Sequence, residues 1–91
     1  MTTVERAVIL SNKVGLHARP ASLLVQTASR FSASVVLTAN GRSADAKRIL
    51  QVLQLGAECG VTVSVRGEGE DAPEAVAAIE ALILQRFNEP E

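Results

Sequence analysis

Residues 34–46 read SVVLTANGRSADA, and this stretch decides the fold class. Residues 34–39 are β-prone, and Asn40-Gly41 follows them directly. Asn-Gly is the pair best suited to a two-residue type I′ hairpin turn, because both central positions of that turn need a positive φ. Residues 42–46 are predicted to return as a short second strand. The stretch therefore predicts at least one antiparallel strand pair.

Upstream of this hairpin the pattern indicates a strand and then a helix. Residues 4–10 mix apolar and charged side chains as a half-buried strand does, and a polar loop that ends in glycine follows. Residues 18–30 are predicted to be a helix, with a proline in the first turn, where its missing N–H is tolerated. The apolar positions of this helix recur at i, i+3, i+4 and i+7 and form one stripe: Ala21, Leu24, Val25 and Ala28.

Downstream of the hairpin the pattern indicates a second helix and a further strand. An apolar block predicts a short helix over residues 48–54 that ends near Gly56. The alternation of Val with polar residues predicts a strand over residues 61–66. The sequence GEGE at 67–70 is predicted to be a turn.

The last helix is the most clearly marked element. Asp71 is a good N-cap, and Glu74 stands three residues later, as in a capping box. The apolar face of this helix contains Val76, Ile79 and Ile83. The order β-α-β-β-α-β-α predicts one α+β domain over residues 1–91, with a sheet covered on one face by helices. A ferredoxin-like sandwich fits this order nearly as well.

Composition narrows the class of protein. The 91 residues are 47% hydrophobic, with two Phe, no Trp and no Tyr, so the core is expected to be aliphatic. A formal net charge of −1 and scarce aromatics argue against nucleic-acid binding. There is no apolar run of membrane-spanning length and no signal-peptide core, and the single Cys59 has no disulfide or metal-site companion. We therefore expect a reduced, cytoplasmic protein with no metal.

The chain contains one histidine, His17, which lies directly before the first predicted helix. Histidine is a poor N-cap, so capping alone does not explain it. A helix start binds phosphate through its N–H groups and the positive end of its dipole, which also disfavours a protonated imidazole. Ala18 and Arg19 would supply the nearest N–H groups, and the Arg19 guanidinium a charge-assisted hydrogen bond. No acidic residue lies within four positions of His17. These features suit a phosphoryl acceptor.

Residues 15–21, GLHARPA, resemble the active-site motif of the HPr family, the histidine phosphocarriers of the bacterial phosphoenolpyruvate:phosphotransferase system. The resemblance extends to NGRSADAK at 40–47, LGA at 55–57 and GEGED at 67–71, and it covers nearly the whole chain. It implies an open-faced β-sandwich, in which a four-stranded antiparallel sheet lies under three helices.

The same resemblance implies a function. His17 would be phosphorylated at Nδ1 by phosphorylated enzyme I and would pass the phosphoryl group to an enzyme IIA protein or domain. Arg19 corresponds to the family's active-site arginine. The resemblance implies no metal, no small cofactor and no membrane insertion. It describes a monomeric carrier that is the substrate of its partners, with no independent turnover expected.

Two features of the chain bear on its branch of the family. The serine that an ATP-dependent kinase phosphorylates in many Gram-positive members falls at Arg48, which puts that control in doubt. The segments NKVG at 12–15 and RFNE at 86–89 resemble the nitrogen-related branch more than the sugar branch. Sugar transport and nitrogen regulation both remain open.

The short helix at 48–54 cannot bury apolar side chains on every side, yet apolar residues span most of its circumference. We assign Val52 and Leu55 to the core. The remaining apolar residues are predicted to form an exposed docking patch with one residue of the first helix: Leu23, Ile49, Leu50 and Leu53. Arg48 beside this patch would steer acidic groups of a partner towards it.

Three other interpretations stay open. A regulator on the same fold could act by docking alone, although docking does not need a nucleophile at a helix start. A ferredoxin-like domain could bind a small molecule. An enzyme with its own active site is least favoured, because no second acid or base stands beside His17 in the chain.

Overall fold

A computed structural model describes residues 2–88. The elements along the chain are strand β1 (Thr3–Ile9), helix α1 (Ala18–Ser29), strands β2 (Ser34–Ala39) and β3 (Arg42–Asp45), helix α2 (Ile49–Gln54), strand β4 (Thr62–Glu68), helix α3 (Ala72–Leu84) and a 3-10 turn (Arg86–Asn88). The predicted order of strands and helices is confirmed. Of the segment RFNE at 86–89, the last residue lies outside the described part of the chain.

The strands form one antiparallel sheet in the order β1-β4-β2-β3. Because β4 lies between β1 and β2, Val63 pairs with Val8 and Val65 pairs with Leu37. A ferredoxin-like arrangement contains a split βαβ unit and therefore a parallel pair, and residues 2–88 contain none. The ferredoxin-like alternative is wrong. The chain has the α+β fold of an open-faced β-sandwich, with a four-stranded antiparallel sheet and three helices.

The hairpin between β2 and β3 forms as predicted. Asn40 has φ +55° and Gly41 has φ +74°, the positive values that a type I′ turn requires. The Asn40 side-chain amide also donates hydrogen bonds to the carbonyl oxygens of Leu55 (3.0 Å) and Gly56 (3.1 Å). The tip of the hairpin is therefore fastened to the C-terminal end of α2.

The core lies between the sheet and the helices and is largely aliphatic, as the composition predicts. Its fully buried side chains include Leu24, Leu37, Val63, Val65, Val76, Ile79 and Ile83. The predicted apolar face of α3 is confirmed, whereas Val25 of the predicted α1 stripe is only partly buried. Phe87, in the turn after α3, is the largest fully buried side chain. Within residues 2–88 no helix has the length and apolarity needed to cross a membrane.

Strand β4 is longer than predicted and includes the first half of the GEGE segment. Glu68 pairs with both Thr3 and Ser34, so the ladder continues into the predicted turn. Gly67 lies in this extension, where a β-carbon would stand 2.8 Å from Cγ2 of Val76. Because Gly67 has no side chain, α3 can pack closely on the strand. Glycine is also typical of turns, which is why the GEGE segment was predicted to be one.

Asp71 occupies the N-cap position of α3, but its side chain does not cap that helix. Its carboxylate accepts hydrogen bonds from the N–H groups of Ser32 and Ala33, each at 2.8 Å. The predicted capping box is therefore wrong, because the carboxylate ties the α1–β2 connection to the start of α3 instead. The Ser32 hydrogen bond, helped by that from Ala33, lowers the pKa of Asp71 below its ordinary 3.8 despite some desolvation.

Candidate functional site

His17 is the N-cap of α1. Its backbone is extended, with φ −77° and ψ −173°, and its carbonyl oxygen accepts a hydrogen bond of 2.8 Å from Ala21 N–H. The side chain is exposed and makes no capping hydrogen bond. The imidazole therefore stands at the helix start without serving as a cap, in the position that the sequence predicted.

The loop before His17 is held by a close contact with the loop that follows α2. Leu16 N–H donates a hydrogen bond of 2.9 Å to Ala57 O, and buried Asn12 donates one of 2.8 Å through Nδ2 to Gly15 O. A β-carbon on Gly15 would lie 2.5 Å from Ala57 O and 2.6 Å from Cα of Glu58. Gly15 also has φ +64°. The motif glycine is thus required by both backbone angle and packing.

The first turn of α1 has the charge distribution that suits an anion. Ala18 and Arg19 place their N–H groups at the helix start, and Pro20 next to them has no N–H to offer. The first turn contains no acidic residue, and Arg19 is exposed. This end of the helix therefore combines backbone dipoles with a guanidinium two residues beyond the imidazole.

Two surface hollows flank His17. One, of about 250 Å³, is lined by His17 together with Leu53 of α2 and with Glu58. The other is lined by His17, Lys13, Glu58 and Cys59, whose thiol is free and exposed. Glu58 belongs to both hollows. An acidic residue therefore lines the surface hollows beside the histidine, although none occurs near it in the sequence.

Sequence reasoning missed Glu58 because it considered only the residues adjacent to His17 in the chain. The shared lining of the hollows depends on the pairing of residues 15–16 with residues 57–58 across two different loops. Local patterns carry no signal for such a pairing. The LGA segment at 55–57 was part of the family resemblance, and it is the only sequence feature that pointed towards this loop.

The predicted docking patch is partly exposed. Leu50 is 70% exposed and Ile49 is 38% exposed, while Val52 and Leu55 lie in the core as assigned. Leu23 and Leu53 are only partly exposed: both pack against the core. The prediction that they are exposed needs correcting, because α1 and α2 pack against each other and cover part of both side chains. Leu53 still reaches the hollow beside His17.

Arg48 is the N-cap of α2 and is highly exposed. Its Nε lies 3.7 Å from Oδ2 of Asp45, and the two side chains are 71% and 45% exposed. An exposed pair of this kind contributes little to stability. It does offset part of the positive charge that the sequence suggested for the start of α2.

An open-faced β-sandwich that presents its single histidine at the start of a helix has the architecture of a histidine phosphocarrier. Comparison with known proteins agrees with this class. The family model described as "PTS HPr component phosphorylation site" matches residues 4–85. The chain belongs to the HPr family of phosphocarriers of the phosphotransferase system.

Relatives named HPr and NPr are similar to this chain over nearly their whole length. The phosphocarrier protein HPr of Xylella fastidiosa (strain 9a5c) is 43% identical over 86 residues, which cover 94% of this chain and 97% of the relative. The phosphocarrier protein NPr of Shewanella violacea is 40% identical over 89 residues, which cover 98% of each chain.

Solved structures share the fold. HPr-C-His from Thermoanaerobacter tengcongensis superimposes with a TM-score of 0.93 at 40% identity, covering 97% of this chain and 99% of its own. The HPr phosphocarrier of Bacillus anthracis superimposes with a TM-score of 0.87 at 37% identity, covering 91% and 99%.

Proposed function

We propose that this chain accepts a phosphoryl group from phosphorylated enzyme I on His17 and passes it to an enzyme IIA protein or domain. The observation that carries the proposal is the placement of the chain's single imidazole. It is exposed at the N-cap of α1, takes no part in capping and stands two residues before Arg19.

The chemistry follows from this placement. A neutral imidazole with its proton on Nε2 has a lone pair on Nδ1, which attacks phosphorus as the bond to the donor protein breaks. The Ala18 and Arg19 N–H groups and the Arg19 guanidinium receive the phosphoryl oxygens, whose charge increases the value of each donor. In the second transfer the acceptor's nucleophile attacks phosphorus and the bond between Nδ1 and phosphorus breaks. The phosphoryl oxygens then leave the same N–H groups and the guanidinium.

Partner docking is assigned to the exposed apolar residues of α2. Ile49 and Leu50 offer apolar surface to a partner, with Leu53 and Leu23 at the margin of the same surface and Arg48 beside it. An apolar patch with a charged residue beside it fits a transient complex.

Arg48 has no hydroxyl, so the kinase-dependent serine switch of other members does not operate at this position. Incubation with an HPr kinase and ATP should leave position 48 unlabelled.

A regulator that acts by docking alone is the second candidate, because the exposed Leu50 surface serves docking with or without phosphate.

We further propose one domain over residues 1–91 that acts as a monomer in the cytoplasm. One similar solved structure is described as an HPr dimer from Thermoanaerobacter tengcongensis, at 41% identity and a TM-score of 0.77. Analytical ultracentrifugation tests whether this chain is a monomer in solution.

The function is tested by incubating the chain with enzyme I and labelled phosphoenolpyruvate, then adding enzyme IIA proteins of the sugar and nitrogen-related branches in turn. We expect acid-labile label on the chain and its discharge to one acceptor class. His17→Ala should take no label. A wild-type chain that binds enzyme I without being labelled would support the docking regulator instead.

A further inference from the structure

Glu58 lies in the loop between α2 and β4, directly after Ala57. This loop is held against the His17 loop by the hydrogen bond from Leu16 N–H to Ala57 O (2.9 Å). It is also closed on itself by the hydrogen bond from Val61 N–H to Glu58 O (3.0 Å). The position of Glu58 relative to the histidine is therefore set by backbone contacts on both sides.

Glu58 borders both hollows beside His17. Among the described residues that line the hollow shared with Leu53, it is the one with a carboxylate. Lys13 is the cation that borders the other hollow. In the described part of the chain no salt bridge involves the Glu58 carboxylate. Its negative charge is therefore not cancelled by an ion pair there.

We propose that Glu58 sets the phosphoryl-transfer potential of His17. This inference rests on the proposed function. A phosphoryl group brings close to two negative charges at neutral pH. The Glu58 carboxylate repels it across the hollow, which destabilises the phosphorylated form relative to the free histidine. The repulsion favours passing the group onward.

A phosphocarrier has to release the phosphoryl group as well as accept it. The N–H groups at the helix start and the Arg19 guanidinium favour the phosphorylated state, and this stabilisation by itself opposes passing the group on. A negative charge on a loop held near His17 by backbone hydrogen bonds lowers that stability without contacting the nucleophile. Glu58 is thus a tuning residue that acts through the field at His17 and forms no bond to phosphorus.

The test measures the equilibrium constant for phosphoryl exchange between enzyme I and the chain, at defined ratios and low salt. Glu58→Gln should shift the equilibrium towards the phosphorylated chain by about three- to tenfold, and Glu58→Lys further in the same direction. The differences should shrink as salt rises, because ions screen exposed charges. Glu70→Gln is the matched control: this exposed glutamate follows β4 at the opposite end of the sheet from His17, and the variant should behave as wild type.

A Glu58→Gln variant with the wild-type equilibrium constant overturns the inference, as does a shift in the opposite direction or one that Glu58→Lys does not increase. Each of these results requires a wild-type chain that is phosphorylated by enzyme I. Failure of the wild-type chain to take label would instead refute the proposed function. The charge series from Glu to Gln to Lys separates an electrostatic effect from a local change of loop structure, which would not follow charge.

Discussion

Replacing Gly15 with alanine should lower the free energy of unfolding more than the same substitution at a glycine whose β-carbon would meet no other atoms. Two costs add at this position. A non-glycine residue at φ +64° costs about 1–2 kcal/mol. The new methyl group would also lie 2.5 Å from Ala57 O and 2.6 Å from Cα of Glu58. Both are backbone atoms, which yield less readily than a side chain, and relieving such overlap costs about 1–3 kcal/mol.

Gly41 provides the matched control. Its φ of +74° carries the same backbone strain, but a β-carbon there meets nothing within 4 Å. We expect Gly41→Ala to lose about 1–2 kcal/mol and Gly15→Ala about 2–5 kcal/mol. The difference between the two variants isolates the contact between the His17 loop and residues 57–58. Urea unfolding measures both losses, because variants with the same m value can be compared directly.

The contact also positions His17, so Gly15→Ala should slow phosphorylation by enzyme I under conditions where the variant is still folded. Gly41→Ala should not slow it. Equal destabilisation by the two substitutions would refute the argument, because it would mean that the backbone of residues 57–58 moves aside at no cost.

The other predictions concern the charges and surfaces around the site. Arg19→Ala should slow phosphotransfer by an amount equivalent to about 2–4 kcal/mol, with an unchanged melting temperature because the side chain is exposed. A large fall in melting temperature would give Arg19 a structural role. Leu50→Ser should weaken association with enzyme I about tenfold or more, while Leu84→Ser, equally apolar and 64% exposed, should leave association unchanged. Asp71→Asn should be less stable than wild type near neutral pH. The folded-state pKa of Asp71 is lowered, so its stabilisation is full above the ordinary pKa of 3.8 and is lost as pH falls through the folded value. A stability gap that stays constant into acid would contradict the Ser32 and Ala33 hydrogen bonds.

The local elements were predictable because their determinants are local. The Asn40-Gly41 turn needs only two residues with positive φ, and the face of α3 needs only the 3.6-residue period of Val76, Ile79 and Ile83. His17 was predictable for the same reason, since its place before the helix is a property of adjacent residues. Composition alone did not distinguish this sheet from a ferredoxin-like one, because strand order depends on which distant strands meet.

The features that sequence reasoning missed are long-range polar contacts. The Asp71 carboxylate has the signature of a capping box, and only the fold brings Ser32 N–H and Ala33 N–H to it. Glu58 likewise lines the hollows beside His17 only because the two loops pack together. The partial burial of Leu53 reflects the packing of α1 on α2 and not the pattern of α2 itself. In each case the contacts of the residue come from distant segments of the chain, whereas the local sequence suggests a different role.

Phosphorus NMR of the chain after reaction with enzyme I and phosphoenolpyruvate at neutral pH tests the central claim most directly. We predict one phosphoramidate signal that correlates with the ring protons of His17, identifies Nδ1 as the bonded atom and disappears on acidification. A phosphoester signal from a serine or threonine, or a phosphoramidate signal that survives in His17→Ala, would contradict the assignment of His17 as the phosphoryl carrier.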